Sequence, residues 1–311
     1  LLSDAYRAAL AGLAADLAAL NREIADPLDA AAARLLLISR VPRTLAALLA
    51  GCALAVSGQI MQMLARNRFV EPMTAGAGQS AALGVLMATI LLPGAAIWAK
   101  MGLAALAALA GSAGLMALIR PLPPTQPLLV PLVALVYGGM IGAAITFVAY
   151  QGDLLQYVEV WLTGELSGVL KGRYELLWLA GATAAATWFI ADRVTLLALG
   201  DAAARGLGLN VTLVTAAGLA AISLSTALVV VTVGAIPFVG LVVPNLVARF
   251  TGDNLRAALP LTALSGAALV LAADIAARVI RQPFEIPVAA ITGILGSVLF
   301  LLLLYRGRAR V

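Results

Sequence analysis

Side chains able to do covalent chemistry are scarce in this sequence. Its 311 residues include no histidine, and the single cysteine, Cys52, stands inside an apolar run. A disulfide within the chain, a Cys/His metal site and an axial histidine for haem are thereby excluded. The lysines, Lys100 and Lys171, precede Met101 and Gly172. Neither therefore belongs to a Gly-Lys-Ser/Thr loop, in which backbone amides and a lysine hold nucleotide phosphates. No Ser-His-Asp set and no pair of carboxylates at catalytic spacing is visible. Enzymatic activity is not expected, no cofactor is expected in this chain, and any ATP-driven step must come from a partner.

What remains is the chemistry of charge and hydrogen bonding in apolar surroundings, where ionisable residues are functional candidates by default. Asp274, in Leu271-Ala-Ala-Asp-Ile-Ala-Ala-Arg278, has Arg278 one helical turn on, so the two share a face and are placed to pair. They read either as a structural ion pair near a membrane edge or as the proton site of a secondary transporter. Gln59 and Gln62 also share a face and are expected to hydrogen-bond to neighbouring helices. Asn245 is a third polar residue in an apolar run. Arg40 and Arg43 immediately precede one apolar run, and Arg278 and Arg281 end another. As a set they offer guanidinium forks to carboxylates of a docking protein; contact with lipid headgroups is the alternative. Finally, Ala198-Leu-Gly-Asp-Ala-Ala-Ala-Arg-Gly-Leu-Gly-Leu-Asn210 is a polar, Gly-punctuated break between long apolar runs. Such a segment must sit in water or against protein. It reads as the contact for a cytoplasmic ATPase, or else as a plain connector.

These residues are carried by elements that belong in lipid. The chain is 63% hydrophobic and 11% charged, with a mean hydropathy of +1.03, against roughly 25% charged in soluble domains. The net charge of +5 is scattered between apolar runs rather than gathered on one face, which disfavours nucleic acid. A hydrocarbon core ~30 Å thick needs about 20 apolar residues per helix. Candidate spans are 44–65, 79–97, 101–119, 128–149, 174–191, 211–233, a short one at 237–250, 260–280 and 286–305, about nine in all. The runs are continuous rather than alternating, so helices are expected, not a β-barrel. Pro42 opens the first, and Pro121, Pro123, Pro124 and Pro127 break the chain between the third and fourth. Pro237, Pro244, Pro260, Pro283 and Pro287 punctuate the last third. Gly138-x-x-x-Gly142 suggests close helix packing, with a subunit interface or pore wall as the sharper alternative.

If the C-terminal Arg306, Arg308 and Arg310 are cytoplasmic, alternation places ten basic residues inside (with 66, 68, 120, 193, 205, 249 and 256) and seven outside (40, 43, 100, 171, 173, 278 and 281). The bias has the sign that the positive-inside rule requires, and segment 198–210 falls inside. Residues 1–20 carry Leu10, Leu13, Leu17 and Leu20 on one stripe, but Asp4, Arg7 and Asp16 make them too polar to span. They are expected to form an amphipathic surface helix. Residues 1–34 thus read as an amphipathic periplasmic segment and 35–311 as a single transmembrane domain.

From about Leu35 onward the sequence resembles the permease family of binding-protein-dependent ABC importers for iron–siderophore, haem and cobalamin complexes. The resemblance is carried by Arg40-Val-Pro-Arg-Thr-Leu45, Ala53-Leu-Ala-Val-Ser-Gly58 and Gln62-Met-Leu-Ala-Arg-Asn67. It continues in Gly200-Asp-Ala-Ala-Ala-Arg-Gly-Leu-Gly-Leu-Asn210, Pro237-Phe-Val-Gly-Leu-Val-Val-Pro244 and Glu285-Ile-Pro287. It implies an all-α polytopic fold of ten helices, the first expected to precede Leu1. It implies a dimer, homo- or heteromeric, working with two ATPase subunits that hold ATP and Mg. By the same resemblance Gly200, Asp201, Ala202, Ala203, Ala204, Arg205, Gly206, Leu207 and Gly208 meet the ATPase. Arg40, Arg43 and Arg278 meet acidic residues of a periplasmic binding protein. Asn245 stands where many members have histidine. With Arg66-Asn-Arg-Phe-Val-Glu-Pro72 and Gly252-Asp-Asn-Leu-Arg256 it looks like the siderophore branch, of the catecholate type. The implied activity is import of a ferric siderophore across the bacterial inner membrane by alternating access. The path walls would be 128–149, 153–170 and the last span. The rival reading is a proton-coupled secondary transporter using Asp274.

Overall fold

The structure, a computed structural model, describes residues 11–12, 14–17, 36–122, 129–172, 174–252, 254–281 and 284–308. In chain order the helices are α1 (Val41–Leu64), α2 (Ala77–Leu91), α3 (Ile97–Ile119), α4 (Leu129–Gln151), α5 (Leu155–Leu162), α6 (Leu176–Ala186), α7 (Ala191–Leu197), α8 (Asp201–Gly206), α9 (Val211–Val233), α10 (Val239–Thr251), α11 (Leu255–Val279) and α12 (Val288–Arg308). A π-helical turn, Leu36–Arg40, leads into α1, and a 3-10 turn, Thr187–Phe189, extends α6. The described residues are all-helical, with no strand. Every apolar run has become a helix, the form in which a segment satisfies its own backbone.

Five of these helices have the length and apolarity to cross a membrane: Leu36–Leu64, Ile97–Ile119, Leu129–Gln151, Val211–Val233 and Leu255–Val279. The other four expected spans are shorter apolar helices, Ala77–Leu91, Leu176–Phe189, Val239–Thr251 and Val288–Leu302. The amphipathic helix expected over 1–20 lies outside the described residues, save for two helical fragments at 11–12 and 14–17.

Helix α1 is the centre of the bundle. Its spanning window is 72% buried, against 22% for α4, and it packs on α11, α9, α10 and α6. Paired glycines make the closest approaches. A Cβ on Gly51 would lie 2.3 Å from the Gly266 carbonyl oxygen of α11, and one on Gly58 would lie 2.1 Å from the Gly240 carbonyl oxygen of α10. Without a hydrophobic drive between helices in lipid, such backbone contact is what holds them. Helices α4 and α12 are peripheral and keep large apolar side chains exposed, among them Leu135, Met140 and Phe147 on α4 and Ile294 and Val298 on α12.

Two expectations about local sequence change. Pro260 lies inside α11, which starts at Leu255, rather than opening it, while Pro244 lies within α10. Gly138 packs on the carbonyl of Thr74 in the loop after α1, 2.5 Å from a notional Cβ, whereas Gly142 faces open space. The Gly-x-x-x-Gly spacing is therefore not one helix–helix seam. Its first glycine admits a loop and its second lies on the open side of α4.

Candidate functional site

The segment 198–210 folds into a short helix between two glycine corners. Gly200 and Gly208 adopt φ of +109° and +79°, conformations that a residue with a Cβ adopts only with strain. Between them α8 exposes Ala202, Ala203 and Arg205 while burying Ala204. Leu199 and Leu207, 65% and 63% exposed, flank it as apolar handles. Asn210 then caps α9, its side chain accepting from the Leu213 amide at 3.0 Å, a usual role for Asn at a helix start. The helix is fastened from one side. The Arg66 guanidinium, in the loop after α1, pairs with Asp201, and its Nε donates to the Leu197 carbonyl at 3.2 Å. Nearby, Arg256 pairs with Asp192 and lies 4.0 Å over the Trp188 ring.

At the opposite end of α1, about 36 Å away for 24 residues at ~1.5 Å rise, four charges form one cluster. Asp274 is fully buried. Its carboxylate accepts from Arg43 at 2.7 Å and pairs with Arg278 at 3.1 Å. Arg43 uses its remaining nitrogen on Glu285, at 2.8 Å. The Arg43 side chain is only 12% exposed, so its fork is already filled by carboxylates of its own chain. Arg40, Arg43, Arg278 and Glu285 line one cleft of about 390 Å³, with Asp16 at its rim. Arg281 is outside it, exposed beside the Phe284 ring.

Back at the C-terminal end of α1, next to Arg66, a polar knot ties α1 to α10. Pro244 has no amide hydrogen, so the Gly240 carbonyl one turn earlier loses its helical donor. Gln62 replaces it, its amide donating to Gly240 O at 3.0 Å. Asn245 donates to Leu241 O and to Arg68 O, both at 2.7 Å. Glu71, 1% exposed, accepts from the amide of Phe238 at 2.9 Å. Phe238 is the left-handed residue, φ +68°, that starts α10. Burial pushes the Glu71 carboxyl up to about 7, against the pull of the Phe238 hydrogen bond. Among the described residues no group of acidic, Cys or His side chains is arranged to hold a metal ion.

The model of the FecCD transport family matches residues 8–306. The chain belongs to that family. The petrobactin import system permease YclN of Bacillus subtilis (strain 168) is 40% identical over 274 residues, covering 88% of this chain and 87% of its own. The ferric-anguibactin transport system permease FatD of Vibrio anguillarum is 40% identical over 272 residues, covering 88% and 87%. A solved metal-chelate type ABC transporter in an inward-facing conformation superposes with a TM-score of 0.76 at 25% identity, covering 90% of each chain. This FecCD member is thus a polytopic membrane permease of the ABC importer class.

Within this permease, Gly200 to Gly208 lie together on one exposed corner, and Arg40, Arg43 and Arg278 meet in one cleft. Arg281 does not join them. Asp274 and Arg278 are paired, but Arg43 shares the carboxylate. Two residues that sequence reasoning passed over as motif members carry much of the geometry, Glu71 and Glu285. The available signal was a carboxylate one or two residues before a proline, Glu71-Pro72 and Glu285-Ile-Pro287.

Proposed function

We propose that the chain is the membrane-spanning subunit of an ATP-driven, binding-protein-dependent importer that moves a ferric siderophore across the bacterial inner membrane by alternating access. The observation that carries this reading is α8, a cornered helix with exposed apolar handles in a chain without a phosphate-binding loop. It suits a cleft of a cytoplasmic ATPase holding ATP and Mg, and the family and its siderophore-importing relatives support the same assignment. Nine crossings within this chain fit the long and short apolar helices. The open apolar faces of α4 and α12 suit a second permease subunit, identical or related, with the chelate passing between them. The catecholate preference rests on the sequence motifs alone. A fully buried Asp274 whose carboxylate is held by two arginines has the geometry of a structural pair, which counts against a proton carrier.

The test is reconstitution with the cognate ATPase and binding protein in liposomes. ATP-dependent uptake of ferric siderophore is expected, and uptake driven by a proton gradient alone would overturn the reading. Replacing Ala203, exposed on α8, by arginine should leave membrane insertion intact and reduce uptake per ATP hydrolysed by about tenfold, the order of a typical coupling energy. Normal uptake in that variant would reduce 198–210 to a connector.

Docking of a periplasmic binding protein is expected at the cleft around Arg40 and Arg278. Charge reversal of exposed Arg40 should weaken binding-protein affinity roughly tenfold, about 1.4 kcal/mol, with a strong salt dependence. Unchanged affinity by surface plasmon resonance would remove the arginines from docking.

A further inference from the structure

The loop 65–76, between α1 and α2, touches every element that the proposed cycle needs to move, although it is no part of the coupling or docking sites. At its start Arg66, itself in a left-handed conformation at φ +48°, holds α8 through Asp201 and the end of α7 through Leu197 O. Arg68 O accepts from Asn245 of α10 at 2.7 Å. Phe69 meets Phe300 of α12 edge to face, ring centroids 5.8 Å apart. Glu71 fixes Phe238, whose Cβ lies 2.2 Å from where a Cβ on Gly296 of α12 would stand. Thr74 O and Gly76 seat α4, where a Cβ on Gly76 would be 2.8 Å from the Tyr137 ring. Most of the loop is buried, from Val70 to Met73 and again at Ala75 and Gly76. Asn67 and Pro72 tie it internally, through Asn67 Oδ1 accepting from Phe69 N and Pro72 O accepting from Ala77 N.

A close-packed, internally bonded segment cannot deform independently of its neighbours. Displacing α8 therefore drags Arg66, and the loop carries that displacement to whatever it holds at its far end. We propose that loop 65–76 is the transmission element of this permease, converting movement of the ATPase-facing helix α8 into movement of α4, α10 and α12. Arg66 is its input, and Phe69 and Glu71 are its outputs. Glu71 is a positioning residue. It acts by accepting the Phe238 amide, and so fixes the first turn of α10 and, through Phe238, α12. The inference rests on the importer reading above.

The experiment is a double-mutant cycle on uptake per ATP hydrolysed, in liposomes with the ATPase and binding protein. Arg66→Gln removes the loop's hold on α8 and Phe300→Ala its contact with α12, and the two side chains do not touch each other. Each alone should lower the ratio about fivefold or more, the lower range of allosteric coupling. The double variant should be no worse than the poorer single, because the link is already broken. Multiplying effects would show independent sites and overturn the proposal, as would singles whose ratio stays at the wild-type level. Glu71→Ala should lower the ratio, while Glu71→Gln, which keeps an oxygen for the Phe238 amide, should restore most of it. Equal loss in both would refute the acceptor role. Should the wild-type protein itself show no ATP-dependent uptake, the importer reading fails first, and that result is distinct from any of these.

Discussion

Asp274→Ala is expected to destabilise the permease by about 3–5 kcal/mol, the cost of removing one partner of a buried ion pair. The carboxylate is fully buried and bridges Arg43 of α1 and Arg278 of α11. Without it, Arg43 retains only Glu285, whose side chain is 37% exposed. The Arg43 side chain, 12% exposed in the intact protein, would lose three of its five hydrogen bonds. The measurement is the fraction of protein that stays monodisperse in detergent after heating. Asp274→Ala combined with Arg43→Met removes the stranded charge as well, and it should recover much of the loss. A proton-carrying Asp274 makes the opposite prediction: little change in stability, and loss of proton-coupled uptake.

Gly58→Ala is expected to be as disruptive, although it adds only one methyl group. That carbon would stand 2.1 Å from the Gly240 carbonyl oxygen and 2.3 Å from its Cα. Both are backbone atoms, which no rotamer change relieves. Helices α1 and α10 must separate, and Gln62 then loses its reach to the carbonyl that Pro244 leaves without a donor. Overpacking alone costs roughly 1–3 kcal/mol, and the orphaned carbonyl adds about 1–3 kcal/mol more. The contact is asymmetric. A Cβ on Gly240 meets its nearest neighbours only at 3.0–3.1 Å, so Gly240→Ala should be distinctly milder. Equal loss of thermal stability in the two variants would contradict the geometry described for this crossing.

The fold class was legible because a continuous apolar run admits few structures in lipid. All nine runs became helices, and the starts at Pro42, at Asn210 and at Asn254, whose side chain accepts from the Ala257 amide at 3.2 Å, follow chemistry that a sequence displays openly. The exposure of segment 199–208 was legible for a similar reason, since polar residues and glycines interrupting an apolar chain have nowhere to go but out. Partners of buried polar groups were not legible. Arg43 and Asp274 are 231 residues apart and Gln62 and Gly240 are 178 apart, and no local periodicity links them. Arg43 was expected to face a docking protein because an arginine before a span looks like any other. Only packing reveals that its fork is filled from within. The hydrogen bond that Pro244 breaks was visible in sequence, while the glutamine that repairs it was not.

That same separation has a consequence for biogenesis. Helix α1 emerges early from the ribosome, yet its charge is matched by Asp274 and its glycine seams by Gly240 and Gly266. At about 5–20 residues per second, the 231 residues between Arg43 and Asp274 take roughly ten to fifty seconds to synthesise. Throughout that interval α1 must wait with its guanidinium and grooves unmatched, so the nascent chain depends on the insertion machinery or lipid headgroups to shelter it. A chain truncated before α11 would leave that wait without end, and it is such chains that membrane quality control should remove first.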